Sequence, residues 1–208
     1  MRNDLVLYTH PMSRGRIARW LMEESGQPYT TEILEFGSTI KSPEYLRINP
    51  MGKVPALRHG DVVVTEAAAI CAYVADAFPE AGLAPEPKER GSYYRWLLFA
   101  AGPIEQSCVT KALGFDVPEK QEGLVGYGTH GRMLDTLEGM LSTQEYAAGE
   151  RFSAADIYLA AQLQWNMMMG VVQERDVFVD YSQRMHQRPA CVRADEIDNE
   201  LAAKLQSS

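Results

Sequence analysis

A change of hydrophobic pattern near residue 80 is the feature that most constrains the fold of this chain. Before it, short runs suited to strands alternate with helical spacings in the order βαβ and then ββα, which favours a compact α/β domain. After it only helical spacings recur, which favours an all-α domain. Between them lies FPEAGLAPEPKE, whose three prolines, one glycine and four charges are typical of a linker.

The sequence therefore predicts an α/β domain over residues 1–79, a linker over 80–87 and an all-helical domain over 88–208. In the first domain the predicted strands are 5–8, 29–34, 56–58 and 62–65, and the predicted helical segments are 14–25, a short turn near Ser42, and 66–78. In the second domain the predicted helices are 88–109, 129–141, 153–169, 179–188 and 193–206.

Composition narrows the classes of partner. The net charge of the 208 residues is −8 at pH 7, which argues against nucleic acid or an anionic membrane surface as the main partner. The start, MRNDLVLYTH, lacks the apolar run of a signal peptide, and no window approaches the roughly 18 apolar residues of a membrane span. The cysteines Cys71, Cys108 and Cys191 have neither CxxC nor metal-ligand spacing. We expect a cytoplasmic protein with packed, reduced thiols and no metal.

One helix start is unusually well marked. In RFSAADIYLA, Ser153 is placed to accept from the backbone N–H of Asp156, and the carboxylate of Asp156 is placed to accept from the N–H of Ser153. Phe152 and Ile157 take the flanking staple positions of this cap. We interpret the motif as folding chemistry rather than catalysis, and expect substitution of Asp156 to cost about 1 kcal/mol or more.

The stretch INPMGKVPAL, residues 48–57, places a Val-Pro bond directly before a predicted strand. Proline removes a backbone donor and fixes one dihedral angle, so it interrupts the ladder of hydrogen bonds where a strand would begin. An edge of a sheet tolerates this. A recognition surface that reads a backbone is the alternative.

Four segments together resemble the cytosolic glutathione transferase superfamily, in particular its bacterial, theta/phi-like serine-type members. They are LYTHPMSRGRIARWLMEESG, KSPEYLRINPMGKVPAL, TEAAAICAYVAD and FSAADI, in family order and at family spacing. The resemblance implies a thioredoxin-like first domain, an all-helical second domain and a homodimer. It also implies that the proline after Val54 is cis, so that the N–H and C=O of Val54 face outward and pair with the backbone of a bound tripeptide, glutathione.

The resemblance further implies the residues that bind glutathione. Lys41 and Lys53 match positions that hold its terminal carboxylate and neighbouring groups, for which a cation is suited. Glu66 matches the acidic residue that receives the γ-glutamyl end. Ala67 departs from the usual serine and lacks its hydroxyl, but its backbone N–H at a helix start is still suited to a carboxylate. We expect glutathione binding that is weaker or differently tuned.

The reaction implied by the resemblance needs a thiolate, and three residues compete to stabilise it. Ser13 is preferred because, counted from the strand, it matches the catalytic serine of theta-like members and directly precedes the first helix, although a plain N-cap is its other interpretation. Tyr8 lies at the strand end used by tyrosine-type members. His10 falls in the catalytic position when RGR is aligned with the tyrosine-type pattern. No cysteine lies in this segment, which disfavours disulfide exchange.

The second substrate, a hydrophobic electrophile, is expected to bind helical-domain side chains, for which Phe99, Glu105 and Trp165 are the candidates. The leading interpretation is an enzyme that conjugates glutathione to electrophiles in detoxification. One alternative keeps glutathione and changes the reaction to isomerisation, peroxide reduction or dehalogenation. The other is a non-catalytic module of the same fold that binds proteins.

Overall fold

The computed structural model describes residues 4–207 of the chain and divides into two compact units. One unit contains the described residues up to Leu83 together with those from Arg188 onward, and the other is Ala84–Gln187. The first break falls inside the predicted linker, whereas the terminal helix joins the first unit although it follows the second in sequence.

The first unit is built on a four-stranded sheet. Its elements are β1 (Leu5–Thr9), α1 (Gly15–Ser25), β2 (Thr30–Ile33), α2 (Pro43–Leu46), β3 (Ala56–His59), β4 (Val62–Thr65) and α3 (Ala67–Ala77). The α/β prediction is confirmed, and each predicted strand and helix of this unit is present within a few residues of its expected bounds. Helix α1 ends at Gly26, whose φ of 65° lies in the left-handed region that glycine adopts without strain.

The order of strands in the sheet is β2-β1-β3-β4. Strand β1 pairs parallel to β2 and antiparallel to β3, and β3 pairs antiparallel to β4. One sheet face packs on α2 through a core that includes Tyr8, Tyr45 and Ala56. The arrangement is the thioredoxin-like fold that the sequence predicts.

The second unit is helical. Its α-helices are α4 (Arg90–Phe99), α5 (Glu105–Ala112), α6 (His130–Leu141), α7 (Ala154–Met168) and α8 (Asp176–His186). The predicted helix over 88–109 is interrupted by a π-helical segment, Ala100–Ile104, which contains Pro103. Proline has no N–H to donate to the preceding turn, which accounts for the altered hydrogen-bonding pattern. Helix α8 begins three residues before the predicted start.

Helix α9 (Pro189–Gln206) begins four residues before its predicted start and packs against α1 in the first unit. The buried guanidinium Nε of Arg19 on α1 lies 2.7 Å from Oδ1 of Asp198 on α9. Two more ion pairs join the same helices, from Arg188 to Glu24 at 2.6 Å and from Arg193 to Glu23 at 3.3 Å. Charge pairing along α1 therefore explains why a polar terminal helix docks there.

The predicted cap at Ser153 is confirmed as a capping box at the start of α7. The carboxylate of Asp156 is completely buried and accepts more hydrogen bonds than a cap requires. Its Oδ2 accepts from the N–H and hydroxyl of Ser153, each at 2.9 Å, while its Oδ1 accepts from Ala147 N at 2.7 Å and the Tyr181 hydroxyl at 2.8 Å. Asp156 thus ties a loop and helix α8 to α7.

The three cysteines are unpaired and buried, as expected. Burial raises the pKa of the Cys71 and Cys108 thiols to about 12, which keeps them protonated and unreactive at neutral pH. Among residues 4–207, no helix combines the length and the apolar character needed to cross a membrane.

We predict that Asp156→Ala lowers the free energy of unfolding by about 3 kcal/mol, more than the cap alone suggests, because it leaves several buried donors unpaired. Urea unfolding followed by circular dichroism measures the change. Asp180→Ala, at an exposed site on α8, is the control and should change stability by less than about 0.5 kcal/mol. A cost near 1 kcal/mol for Asp156→Ala would mean that the contacts beyond the cap contribute little.

Candidate glutathione site

Strand register brings the predicted site segments to one edge of the sheet. Tyr8 near the end of β1 pairs with Ala56 at the start of β3, and Ala56 pairs with Thr65 at the end of β4. The chain leaving β1, the chain entering β3 and the chain leaving β4 therefore meet at this edge. These are the segments that contain Ser13, Val54 and Glu66.

The Val54-Pro55 peptide bond is cis, as the resemblance implied. Val54 is half-buried against the core beneath α2, which fixes its side chain. Its backbone N–H and C=O bond to no other backbone group among residues 4–207. They are thus suited to pair with an extended peptide, as the added strand of a sheet would.

Two buried side chains hold the backbone just before Val54. The carbonyl of Lys53 accepts from the Tyr45 hydroxyl at 2.5 Å and from Asn49 Nδ2 at 2.8 Å. Burial raises the pKa of Tyr45 to about 12, so its hydroxyl remains a donor at neutral pH. Asn49 Oδ1 also accepts from Met51 N at 3.1 Å. The orientation of this peptide edge is therefore set from inside the protein.

Lys41 and Lys53 have different surroundings. Lys41 Nζ donates to the carbonyls of Met51 at 3.2 Å and Gly52 at 3.0 Å, so its ammonium closes the loop that precedes Lys53. Gly52 has φ +56°, in the left-handed region, and a Cβ there would lie 3.0 Å from the backbone carbonyl of Ile40, which explains why this position favours glycine. The side chain of Lys53 is exposed and has no hydrogen bond or ion pair described within residues 4–207. Lys53 is the lysine with its donors available to a ligand.

Glu66 has a strained backbone. It is the only non-glycine residue of the described chain with positive φ, at φ 67° and ψ 121°, and it immediately precedes α3. Such conformations cost of order 1–3 kcal/mol and cluster at binding sites. Ala67 is the first residue of α3, where the leading N–H groups lack partners within the helix. A carboxylate side chain and a set of amide donors therefore adjoin at this helix start.

The Ser13 hydroxyl has local partners on both sides. Its Oγ accepts from Gly15 N at 2.9 Å and donates to the His10 carbonyl at 2.7 Å. The first bond closes a turn just before α1, whose N-cap residue is Arg14, so Ser13 is not the plain N-cap that was its other interpretation. The second leaves the donor role open, because rotation about one bond redirects the hydroxyl hydrogen while Gly15 N still holds the oxygen.

A close approach at Gly15 fixes where α1 begins. A Cβ at this position would lie 1.9 Å from Oγ1 of Thr9 and 2.9 Å from Oγ of Ser13. Thr9 is fully buried at the end of β1, and its Oγ1 has no hydrogen-bond partner among the described residues. Only glycine lets the helix start lie directly against the strand end, which holds Ser13 at the edge of the sheet.

The two alternatives to Ser13 differ in position. Tyr8 is buried, its ring packs against Tyr45 with centroids 5.7 Å apart, and its hydroxyl lies 3.4 Å from Arg58 Nε. This geometry disfavours Tyr8 as the thiol donor, because side chains alternate across a strand and Tyr8 lies on the face covered by α2. His10 is half-buried, and its ring lies 4.1 Å from that of Phe36.

His10 is suited to donate from Nε2. Burial lowers its pKa, against opposing contributions from Glu35 and Asp198, so the neutral ring is favoured at pH 7. Its Nδ1 accepts from Met12 N at 3.1 Å, which leaves the proton of the neutral ring on Nε2. His10 therefore stays a candidate donor beside Ser13.

The candidates for the second substrate all lie in the helical unit. Glu105 at the start of α5 accepts from Gln162 of α7 at 2.6 Å, and Gln162 in turn accepts from Asn166 at 3.0 Å. Phe99 packs edge-on against Trp96 of its own helix, while Trp165 is 46% exposed on α7. A cavity of about 410 Å³ in this unit is lined by none of these candidates. Its walls include Ser107, Lys111, Phe115, Tyr127 and His130.

Several supporting residues were missed by the sequence analysis. Asn49 carries a signal, since an asparagine directly before Pro50 and close to Gly52 is typical of a loop in which the side chain bonds nearby backbone. The sequence analysis placed Tyr45 only in a short helical turn and ended the first strand just before Thr9. Their roles depend on contacts across the fold that no local pattern reveals.

The fold defines a thioredoxin-like unit joined in sequence to a helical unit. The model of the glutathione S-transferase N-terminal domain matches residues 3–76, and that of the C-terminal domain matches residues 95–189. The chain is 30% identical over 176 residues to glutathione S-transferase GST-4.5 of Xanthomonas campestris, covering 80% of this chain and 85% of that protein. The chain belongs to the glutathione S-transferase family.

Solved structures agree with this assignment. A glutathione transferase from Methylococcus capsulatus superposes with a TM-score of 0.78 at 29% identity, covering 94% of this chain and 98% of that one. A sphingomonad glutathione S-transferase complexed with glutathione superposes with a TM-score of 0.76 at 25% identity, covering 93% and 98%.

We predict that Glu66→Gly raises the free energy of unfolding by about 1 kcal/mol. Glycine adopts the observed φ without steric strain, and this gain exceeds the extra entropy of glycine in the unfolded chain. Glu66→Ala is the matched control, since it removes the same carboxylate but keeps the strained Cβ, and should gain no stability. Urea unfolding compares them; equal stabilities for the two variants would show that the backbone of Glu66 stores no strain.

Proposed function

We propose that this member of the glutathione S-transferase family binds glutathione at the edge of the thioredoxin-like sheet and transfers its thiolate to hydrophobic electrophiles. The observation that carries the proposal is the meeting of three groups at that edge: the unpaired backbone of Val54, the carboxylate and amides around Glu66, and the hydroxyl of Ser13. Glutathione offers a matching peptide backbone, a charged γ-glutamyl end and a thiol.

Each part of the tripeptide has a chemically suited partner. The cysteinyl backbone pairs with the N–H and C=O of Val54. The γ-glutamyl ammonium binds the carboxylate of Glu66, and its carboxylate binds the amides that begin α3 at Ala67. The glycyl carboxylate binds Lys53, with Lys41 shaping the loop and lending a nearby positive charge. Because Ala67 lacks a hydroxyl, the helix amides alone hold the γ-glutamyl carboxylate.

The chemical step needs the thiol as its anion. A free thiol with a pKa near 8.5 is only about 3% ionised at pH 7, and a decrease of about two pKa units corresponds to roughly 2.7 kcal/mol of preferential thiolate stabilisation. Ser13 supplies a hydroxyl donor at the start of α1, whose dipole also favours negative charge. In the proposed step the thiol proton passes to solvent water, and Ser13 redirects its hydrogen from the His10 carbonyl to the sulfur anion. The thiolate then attacks the electrophilic carbon of an organic halide. The carbon–sulfur bond forms as the carbon–halogen bond breaks, and the halide leaves as an anion with the bonding electron pair.

We also propose a homodimer in the cytoplasm. Tyr94 and Leu98, one turn apart on α4, are 42% and 61% exposed, and burying such apolar surface favours self-association. The three buried, unpaired cysteines favour a reducing compartment. The second substrate is proposed to contact the helical-unit residues Phe99, Glu105 and Trp165.

The ultraviolet absorbance of the glutathione thiolate, followed from pH 5 to 9 on the purified protein, tests the proposal. A titration midpoint well below that of free glutathione is expected. Binding without a shift would indicate a carrier or sensor of glutathione, and the absence of binding would favour a protein-interaction module. Assays with one substrate for each reaction distinguish conjugation from isomerisation, peroxide reduction and dehalogenation.

We predict that Ser13→Ala leaves glutathione affinity within a few fold but lowers kcat by about 10-fold or more. The reason is that the variant loses the hydroxyl that donates a hydrogen bond to the sulfur in the transition state. Tyr8→Phe is the control, since its ring packs on the sheet face covered by α2 and its hydroxyl contacts Arg58, and it should leave kcat within about twofold. The unfolding temperatures of both variants show whether loss of the bond between Ser13 and Gly15 lowers stability, and so separate an effect on folding from an effect on catalysis. An unchanged kcat in Ser13→Ala would transfer the role to His10 or a backbone amide.

We predict that Lys53→Ala weakens glutathione binding by about tenfold, roughly 1.4 kcal/mol, without changing stability, because its side chain has no described partner to lose. Lys41→Ala should instead reduce both stability and affinity, since it also releases the carbonyls of Met51 and Gly52. Calorimetric titration and thermal unfolding distinguish the two profiles. Identical profiles would contradict the different roles assigned to these lysines.

A further inference from the structure

Arg16, in the first turn of α1, bonds in two directions. Its Nε donates to the carbonyl of Pro11 at 2.6 Å, inside the segment that carries Ser13. Its Nη1 lies 3.2 Å from Asp195 Oδ1 and its Nη2 lies 2.7 Å from Asn199 Oδ1, both on α9. One guanidinium therefore connects the terminal helix to the segment that we propose activates the thiol.

Residues 10–13 have few other anchors. The hydrogen bonds described for this segment are three local ones and those from Arg16. The local bonds run from Met12 N to His10 Nδ1, from Ser13 Oγ to the His10 carbonyl and from Gly15 N to Ser13 Oγ. Arg16 contributes twice, because its backbone N–H also donates to the carbonyl of Ser13 at 3.2 Å. Its two bonds thus bracket Met12 and hold the carbonyls of Pro11 and Ser13.

The α9 contacts determine where the Arg16 side chain points. A free arginine side chain has about 2 kcal/mol of rotamer entropy, so an unsupported guanidinium would occupy the Pro11 contact for only part of the time. Asp195 and Asn199 lie four residues apart, on one face of α9, and together they engage both terminal nitrogens. They hold the guanidinium in the plane that directs Nε at Pro11.

The docking of α9 itself depends on other residues. Arg19 and Asp198 form a buried pair, and Arg188 makes a two-pronged contact with Glu24 at 2.6 and 2.9 Å. Asn199 is exposed and Asp195 only half-buried. Removing their side chains is therefore expected to release Arg16 while α9 stays docked on α1.

We propose that Asn199 and Asp195 are positioning residues for the thiolate donor, acting through Arg16 on segment 10–13. The inference rests on the proposed function, because it assigns α9 a part in the glutathione reaction that Ser13 serves. It makes thiol activation in the sheet unit depend on residues of α9, none of which is among those proposed to bind glutathione.

The test compares Asp195→Ala/Asn199→Ala, the charge-neutral single variant Asn199→Ala, and the control Arg193→Gln. The control removes another exposed α9 contact to α1, the 3.3 Å pair with Glu23, which does not reach segment 10–13. Each protein is assayed for the pH midpoint of the bound glutathione thiolate, for kcat and KM with a chromogenic aryl halide, and for amide hydrogen exchange over residues 10–17.

In the double variant we expect the thiolate midpoint to rise by about 0.7 pH unit and kcat to fall about fivefold, with glutathione affinity within about twofold. Exchange over residues 10–17 should quicken about tenfold. Asn199→Ala should show the same changes to a smaller extent, and Arg193→Gln none of them. The sign separates positioning from charge, because losing the anion of Asp195 would by itself lower the thiol pKa.

Three outcomes would overturn the inference. Unchanged exchange and an unchanged midpoint in the double variant would show that α9 does not position the segment. The same changes in Arg193→Gln would mean that any loosening of α9 suffices. An unshifted thiolate in the unsubstituted protein would defeat the proposed function and, with it, this role in the reaction, whereas faster exchange in the variant would still report the structural link.

Discussion

The register of β1 is the constraint on which the site depends. This strand pairs parallel to β2 and antiparallel to β3, so strand ends from distant parts of the sequence meet at one edge. The hairpin of β3 and β4 then brings the start of α3 to the same edge. A slip of one residue would exchange the side chains that β1 presents to the two faces of the sheet, both of which are buried along this strand. The buried residues Leu7 and Leu57, which pair directly, oppose such a slip.

Buried side chains around this edge hold backbone groups and leave other groups free to bind. Tyr45 and Asn49 both donate hydrogen bonds to the carbonyl of Lys53. The Lys41 ammonium donates two hydrogen bonds to loop carbonyls, although the resemblance implied that this lysine binds the ligand. Holding the peptide edge from beneath reduces the conformational entropy that binding of the proposed tripeptide must overcome.

Local sequence patterns were sufficient to predict the helices and strands but not to predict how some of them pack. The strands, the cap at Ser153 and the end of α1 at Gly26 follow from periodicity, capping and turn chemistry, which are short-range. The docking of α9 does not, because it depends on partners far along the chain. The π segment around Pro103 has a local cause, but the helical spacing over 88–109 did not reveal it. The positive φ of Glu66 is likewise invisible in sequence, since glutamate ordinarily avoids that conformation. The site residues named from the family resemblance remain predictions.

In the proposed reaction the Ser13 hydroxyl serves both folding and chemistry. In the structure its oxygen is fixed by Gly15 N, and its hydrogen is held by the His10 carbonyl. A thiolate is a charged acceptor and so outcompetes a neutral carbonyl for that hydrogen. The oxygen need not move during the exchange, so little reorganisation opposes it. The position of the Ser13 hydroxyl then depends on the contacts that hold residues 10–13. Arg16 of α1 contributes to them, because its side chain donates to the backbone carbonyl of Pro11.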